Sequence, residues 1–155
     1  MNEIIVNNST KYNIDNICIE IVENILEDLS INNASLSINL VTDKKMNDIN
    51  MQYRNIDKPT DVITFSYEDI INFNELFKIR ELGDIFIAVE YVYQNSIKYQ
   101  HSMAREMSFV LAHGILHTLG YDHQTKKQEE IMFKKQEELI ANVILKGSEL
   151  DEIFN

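Results

Sequence analysis

Three of the four histidines in the sequence lie close together, at His113, His117 and His123. Histidines four residues apart on a helix project about 40° from each other around its axis, so the first two imidazoles can reach one metal ion. Gly120 can adopt a positive φ, which would end that helix and bring His123 back toward the same ion. A lone pair of histidines on an apolar helix is typical of hydrogen-bonded core residues. The third histidine, placed after the glycine, favours a metal site instead.

The three predicted ligands leave a fourth coordination position open. An open position is typical of catalytic zinc, because structural zinc sites usually have four protein ligands, often cysteines. Zinc lowers the pKa of a bound water to about 7 and so provides hydroxide at neutral pH. We predict one Zn²⁺ per chain, and the spacing alone also admits other divalent metals.

Two further residues have chemistry that the predicted metal site does not use. His101 precedes a predicted N-cap at Ser102 and is expected at a solvated helix start. Cys18 is the only cysteine, which excludes an internal disulfide and a thiolate metal cluster. We expect Cys18 to be a buried core thiol.

The residue after the first histidine distinguishes this motif from that of the zinc peptidases. In the pattern His-Glu-x-x-His, the glutamate activates water for attack on a peptide bond. The corresponding residue here is Gly114, so the usual general base is missing. The histidines resemble the metal scaffold of zincin hydrolases, and Gly114 favours a substrate other than a peptide.

Hydrophobic patterning predicts the elements that position the histidines. Apolar or alternating runs predict strands at residues 3–6, 36–40, 62–66 and 84–89, the last buried on both faces. Apolar spacings of three and four predict helices from Ile14, after an N-cap at Thr42, from Tyr91, after Ser102 and after a capping box at Thr125 and Gln128. Residues 67–82 are predicted to be irregular or partly helical, with Gly83 closing that segment.

These elements predict a single domain of α/β (α+β) class over residues 1–155. The expected architecture is a small, mostly parallel or mixed four-stranded sheet packed by about five helices. The metal-site helix is zincin-like and ends at Gly120. The last helix is expected to direct four apolar side chains inward, namely Ile131, Met132, Leu139 and Ile140.

The composition restricts the classes of function. A chain of 155 residues that is 45% hydrophobic and 25% charged fits one soluble domain with a sizeable core. It has no apolar run near the roughly 20 residues of a membrane span and no signal-peptide pattern at its start, so we expect a cytoplasmic protein. A net charge of -11 argues against non-specific coating of nucleic acid. Local cations can still bind a phosphate, because charges act over a Debye length of about 8 Å.

The histidine segment reads His-Gly-Ile-Leu-His-Thr-Leu-Gly-Tyr-Asp-His and resembles the signature of the YbeY family of bacterial endoribonucleases, or rRNA maturation factors. Three other segments resemble family motifs: residues 47–54 match Leu-Asn-x-x-Tyr-Arg, residues 57–65 match Asp-x-Pro-Thr-Asp-Val-Leu-Ser-Phe, and residues 82–87 match Leu-Gly-Asp-Ile-x-Ile. Thr64 replaces the serine of the second of these motifs. The resemblance covers roughly residues 30–145.

The resemblance implies a fold, a cofactor and a biological role. It implies a single α/β domain in which His113, His117 and His123 hold one zinc, and hydrolysis of single-stranded RNA. It further implies maturation of the 16S rRNA 3′ end and late quality control of the small ribosomal subunit and the assembled ribosome. The implied partners are rRNA, the small subunit, a ribosomal protein and an assembly GTPase. Independently of the resemblance, we expect a monomer that does not associate with membranes.

Arg54 carries the main functional prediction outside the metal ligands. A guanidinium can bind a phosphate through two parallel hydrogen bonds and stabilise charge in the transition state. We therefore predict catalytic roles for Arg54 and for His113. The alternative is a surface arginine paired with Asp57 or Asp61, worth ~1 kcal/mol or less.

Other side chains have weaker predicted roles. Lys58 is predicted to bind substrate phosphate beside Arg54, with Lys44 or Lys45 as further candidates. Asp122 is predicted to be a turn residue or a partner of a ligand histidine, and Asp61 is expected to fix the loop beside Pro59 together with Thr60. Tyr53 and Tyr121 could stack on an unpaired base, but burial in the core is expected for both.

The sequence therefore predicts a metal-dependent endoribonuclease specific for single-stranded RNA. Attack by water and attack by the RNA 2′-hydroxyl remain alternative routes. Two other functions remain open: a zinc peptidase-like hydrolase, and a non-enzymatic ribosome-assembly module. In the latter, a structural zinc would only hold residues 120–123 onto the preceding helix.

Overall fold

Four strands and six helices make up the described part of the chain, which comprises residues 1–67, 79–143 and 149–154 of the computed structural model. The strands are β1 (Glu3–Asn8), β2 (Ala34–Val41), β3 (Val62–Ser66) and β4 (Arg80–Ala88). The helices are α1 (Asp15–Asp28), α2 (Asp43–Arg54), α3 (Val89–Lys98), α4 (Met103–Thr118), α5 (Lys126–Val143) and α6 (Glu149–Ile153). None of the helices in these three ranges is long and apolar enough to cross a membrane.

The four strands form one mixed sheet in the order β1-β2-β4-β3. β1, β2 and β4 run parallel, and β3 pairs antiparallel with β4 at one edge. This arrangement confirms the predicted four-stranded sheet and its α+β class. The short β3 is the strand nearest to the histidines.

The two faces of the sheet carry separate apolar clusters. The larger cluster joins α1, α4 and α5 to inward residues of the strands, including Ile38, Ile85 and Ile87. The smaller cluster packs Met46 and Ile49 of α2 against the other face. Successive side chains of a strand point to opposite faces, so β3 contributes to both sides of the sheet.

The ends of α4 follow the predicted capping chemistry. The Ser102 hydroxyl accepts a hydrogen bond from the Arg105 N–H at 3.0 Å, which caps the first turn. At the other end Gly120 has φ +97° and donates to the His117 carbonyl at 3.1 Å, and Tyr121 donates to the Leu116 carbonyl at 3.0 Å. These two bonds form a Schellman motif, which reverses the chain after the helix.

Two smaller predictions of the patterning are also confirmed. The Thr125 hydroxyl and the Gln128 side chain accept each other's backbone N–H bonds, both at 3.1 Å, so the capping box at the start of α5 is present. Cys18 is a free, buried thiol, and burial raises its pKa to about 12.

The prediction that Gly83 closes an irregular segment is wrong. Residues 68–78 of that segment lie outside the described residues, but β4 already begins at Arg80 and continues through Gly83. The β2–β4 register shifts at this point, because Ser35 faces Glu81 whereas the next residue of β2 faces Gly83. One extra residue on β4 therefore forms a bulge.

The glycine at this bulge allows β3 to approach. Gly83 has φ +152°, and a Cβ there would overlap the carbonyl oxygen of Phe65 on β3. A side chain would therefore force the two strands apart. An isolated glycine in a strand pattern indicates a bulge or a close backbone approach, and here it marks both.

Two burial predictions also need correction. β4 is buried through Ile85 and Ile87 on one face, but Asp84 and Phe86 on the other face are only half-buried, because α2 covers that face incompletely. Ile131 of α5 is 52% exposed, whereas Met132, Leu139 and Ile140 are buried as expected. Ile131 lies one position outside the inward stripe of the helix.

Gly114 is the point where α4 meets β4 directly. A Cβ on Gly114 would lie 2.8 Å from Cγ2 and 2.9 Å from Cδ1 of Ile85, closer than side chains pack. Ile85 is fully buried, so its side chain has little room to move away. Glycine at this position allows the helix to pack closely on the sheet.

We expect Gly114→Ala to lower the free energy of unfolding by roughly 1–3 kcal/mol, the usual cost of overpacking a core. This is opposite to the gain of about 1 kcal/mol that alanine gives over glycine in an exposed helix. Urea unfolding followed by circular dichroism measures the change. In an Ile85→Ala background, which lacks the three contacting carbons, the same substitution should be neutral or stabilising. A stabilised single variant would contradict the packing described here.

Candidate metal centre

The three clustered histidines converge at the end of α4. His113 and His117 lie on its last two turns, and His123 returns from the loop that follows Gly120. One ligand atom from each imidazole lies within 4.8 Å of the other two. The ring centroids are 4.6 Å apart for the two helical histidines, and His123 lies 5.0 Å from His117 and 5.6 Å from His113. The fold thus brings together the ligand set that the spacing predicts.

The surroundings of the histidines favour their neutral form. Burial lowers the pKa of His113 to about 4, with further lowering from the charges of His117 and His123. Burial is also the main cause that lowers the pKa of His117, opposed by the nearby carboxylate of Asp122. At neutral pH both imidazoles therefore keep a nitrogen lone pair, as a metal ligand must.

These three residues form a metal-compatible group of imidazole nitrogen donors. Among the histidine, cysteine and acidic side chains of the described ranges, these three are the ones spaced to hold one ion. His101 lies elsewhere, at the solvated start of α4 as expected, where its ring pairs with the carboxylate of Glu106. The donor set fits zinc and other borderline divalent metals.

The histidines open into a pocket of about 410 Å³ between α4, the end of α2 and β3. Its lining consists of Arg54, Thr60, Asp61, Val62, Thr64, Ser66, His113, His117, Asp122 and His123. Alternate residues of β3 face this pocket, as the geometry of a strand requires. Besides the three histidines, the sequence predicts four site residues. Arg54, Asp61 and Asp122 line this pocket, whereas Lys58 does not.

Arg54 is free to contact a substrate. It is the last residue of α2 and is exposed, and its positive charge contributes to the lowered pKa of His117. The expected alternative partners are engaged elsewhere: Asp57 accepts from the Asn47 side chain at 2.9 Å, and Asp61 accepts from the Val62 N–H at 2.8 Å. Within the described part of the chain Arg54 forms no salt bridge, so the surface-pair interpretation is wrong.

The lysines lie outside this pocket. Lys58 is exposed on the loop between α2 and β3, where its carbonyl accepts a hydrogen bond from the Asn50 side chain at 2.9 Å. Lys44 and Lys45 line two other pockets. Their contacts with phosphate remain predictions.

The two aspartates fix the loops of the pocket. The Asp122 carboxylate accepts from the His123 N–H at 2.7 Å, which orders the turn that carries the third histidine. Asp61 accepts from the Thr60 hydroxyl at 3.3 Å, and its carbonyl accepts from the Ala88 N–H at 2.9 Å, so it joins the loop to β4. Burial raises the pKa of the Asp61 carboxyl, which also faces the pocket.

Gln136 is a site residue that the sequence analysis missed. It lies on α5, is 3% exposed, and lines a small pocket together with His113 and His123, where its side chain opposes the lowering of the His113 pKa. Partners of this kind orient a metal ligand. The sequence does place the Gln136 amide on the same apolar helix face as Met132 and Ile140. A polar side chain buried on such a face needs a hydrogen-bond partner, which indicates a specific role.

The orientation of Gly114 also bears on peptidase chemistry. Because Gly114 is buried against Ile85 of β4, a glutamate side chain at this position would point into the core and not into the pocket. The close packing of α4 on β4 at Gly114 thus leaves no space for the glutamate that serves as general base in the peptidase motif.

The two tyrosines considered for base stacking differ in exposure. Tyr121 is half-buried against the larger cluster. Tyr53 is 61% exposed, so the expectation that it is buried in the core is wrong.

Comparison with known proteins identifies close similarities over most of the chain. The sequence matches the family model described as Endoribonuclease YbeY over residues 3–144. The Endoribonuclease YbeY of Acholeplasma laidlawii is 40% identical over 126 residues, covering 81% of this chain and 86% of that protein. The Endoribonuclease YbeY of a Thermoanaerobacter species is 35% identical over 142 residues, covering 84% and 88%. The solution structure of TM1509 from Thermotoga maritima is 27% identical, with a TM-score of 0.65 and coverage of 92% of this chain and 89% of that one.

We expect the purified chain to bind one divalent ion, measured by Zn²⁺ titration in competition with a chromophoric chelator. His117→Ala should weaken binding roughly 100-fold or more, because losing even an orienting partner of a ligand costs about 10- to 100-fold. His101→Ala removes the histidine outside the cluster and should bind like the unmodified chain. Equal affinities for all three proteins would show that the cluster is not the metal site.

Proposed function

Since the chain belongs to the Endoribonuclease YbeY family, we propose that it is a metal-dependent endoribonuclease that cleaves single-stranded RNA. In this proposal His113, His117 and His123 hold one Zn²⁺. The observation that carries the proposal is the convergence of three imidazoles on a pocket that also contains an exposed arginine. These groups are suited to a phosphodiester, which is anionic and gains charge during cleavage.

Zinc bound by these histidines would supply a Lewis acid for the phosphate and a nucleophile that is active at neutral pH. The protein contributes the geometry. His113 is held by the packing of α4 on β4, with the buried Gln136 of α5 beside it, and His123 is held by the turn that Asp122 orders. The ligand histidines are thus positioned before substrate binds. His113 is proposed to be catalytic because it holds the metal that acts on the phosphate.

Arg54 is proposed to bind the scissile phosphate. Its guanidinium can donate two parallel hydrogen bonds to phosphate oxygens and can stabilise the charge that develops there. The end of α2 places it in the pocket of the histidines. Lys58 is proposed as a weaker contact with a neighbouring phosphate, where exposure limits its contribution.

The cellular part of the proposal rests on family membership. We infer that the substrate is rRNA, with cleavage in maturation of the 16S rRNA 3′ end and in late quality control of ribosomes. The inferred partners are the small ribosomal subunit, a ribosomal protein and an assembly GTPase, for a cytoplasmic monomer. Because the protein has a net charge of -11, contacts with RNA must be local, as Arg54 provides.

Cleavage of a labelled single-stranded RNA tests the activity. The unmodified protein should cut, and both His117→Ala and a chelator-treated sample should lose cutting, because each lacks the metal site. His101→Ala, prepared in the same way, should retain it. A 2′,3′-cyclic phosphate on the product would identify attack by the RNA 2′-hydroxyl, and a 5′-phosphate would identify attack by water.

Other outcomes would exclude the proposed activity. Equal cutting by all four samples would reveal a contaminating nuclease. If the unmodified protein does not cut, but His117→Ala folds, binds ribosomes and supports growth, the protein acts as a binding module without catalysis.

Arg54→Ala should reduce kcat for RNA cleavage roughly 10²- to 10³-fold, the usual effect of removing one donor to a developing charge. Zinc affinity should not change, since Arg54 is not a ligand. Lys98→Ala is a charge-matched control, because Lys98 is an exposed cation at the end of α3 and does not line the pocket of the histidines. An unchanged kcat for Arg54→Ala would refute the assigned role.

A further inference from the structure

A second pocket lies on the opposite side of β3 from the histidines. Its volume is also about 410 Å³, and its lining includes Lys45, Gln52, Tyr53, Phe65 and Phe86. We refer to this pocket as the aromatic groove. It belongs to the face of the sheet covered by α2, whereas the metal pocket belongs to the face covered by α4.

The aromatic groove consists of one exposed ring on a rigid support. Tyr53 is 61% exposed and meets Phe65 edge-on, with ring centroids 4.9 Å apart at 65°. Phe65 in turn meets Phe86 at 5.7 Å and 87°. Both phenylalanines pack against the smaller apolar cluster, which includes the buried Met46. The supporting rings are therefore fixed, and Tyr53 remains largely open to a ligand.

Neighbouring residues of the same two elements line the aromatic groove and the metal pocket. On α2, Tyr53 lines the groove and the next residue, Arg54, lines the metal pocket. On β3, Phe65 lines the groove, while Thr64 and Ser66 on either side of it line the metal pocket. The Cα atoms of consecutive residues are about 3.8 Å apart. A nucleotide chain held at Arg54 can therefore reach Tyr53 with an adjacent base.

The polar groups of the aromatic groove suit an RNA strand. Lys45 offers a cation for a phosphate, and Gln52 offers an amide that can bond to the edge of a base. The carboxylate of Asp84 also lines the groove, but its two oxygens already accept hydroxyl bonds from Ser37 and Tyr67. Both oxygens of this carboxylate are therefore already hydrogen-bonded within the protein.

We propose that the aromatic groove is a base-binding subsite, in which an unpaired nucleobase of the RNA stacks on Tyr53 while the neighbouring phosphate lies at Arg54. The subsite rests on the endoribonuclease function proposed above. It explains how a strongly acidic protein can hold RNA with few cations, because stacking on an aromatic ring is sequence-tolerant and adds affinity without charge. It also explains a requirement for single-stranded RNA, since a base in a duplex has no free face.

The test compares ligands with and without bases. Cleavage of a labelled single-stranded RNA by the zinc-loaded protein is inhibited with either unlabelled oligouridylate or an abasic ribose–phosphate oligomer of equal length. The unmodified protein should bind oligouridylate roughly 5- to 150-fold better, the fold-change expected for one stacked base. Tyr53→Ala should lose most of this preference, with a raised KM and a largely unchanged kcat. Tyr53→Phe and Tyr53→Trp should retain it.

Tyr99→Ala is the matched control. Tyr99 is 54% exposed and follows α3, close to the N-terminal end of α4 and away from the histidines. Its removal should leave the preference for bases unchanged. If Tyr53→Ala keeps the full preference while Arg54→Ala loses activity, the subsite is refuted and the proposed function stands. If the unmodified protein cleaves no RNA, the function itself fails.

Discussion

The close packing of α4 on β4 at Gly114 determines the direction in which the histidines face. Each helical residue is rotated by about 100° from the one before, so His113 and His117 lie roughly 100° and 60° from Gly114, on the same side. With Gly114 held against Ile85, both imidazoles point past β4 toward the edge strand β3. A side chain at position 114 would lift or rotate the helix and would move both ligands together. The convergence of the histidines therefore depends on a packing contact that involves none of them.

The charge distribution of the pocket differs from that of the molecule. The protein carries a net charge of -11, whereas the pocket contains three imidazoles, one exposed arginine and two aspartates whose carboxylates are used in the loops. Asp122 serves two purposes, since it orders the turn to His123 and opposes the lowering of the His117 pKa. Screening over about 8 Å separates this local balance from the acidic surface. Net charge alone is thus a poor guide to whether such a protein can bind a phosphate.

The ligands and most elements could be predicted from the sequence because each depends on local chemistry. Caps at Ser102 and Thr125, helical spacing and the glycine after α4 are read from neighbouring residues, and all appear in the structure. The missed features depend on contacts between distant segments. The role of Gln136 depends on the packing of α5 beside His113. The exposure of Tyr53 depends on how much of the sheet α2 covers. The bulge at Gly83 required knowledge of the pairing with β2 and β3.

That bulge is also what fixes the arrangement of β3. Because consecutive strand residues face opposite sides, a shift of one residue in the β3–β4 register would exchange Thr64 and Ser66 with Ile63 and Phe65. The carbonyl of Phe65 can occupy its place only because Gly83 has no side chain, and the observed register pairs Phe65 with Asp84 and Ser66 with Gly83. Glycine at this position therefore keeps the polar residues of β3 beside the histidines and the aromatic residue on the face of α2. The two pockets are separated by a single strand whose register is fixed from β4, so the backbone contact at Gly83 determines how a substrate could extend from one to the other.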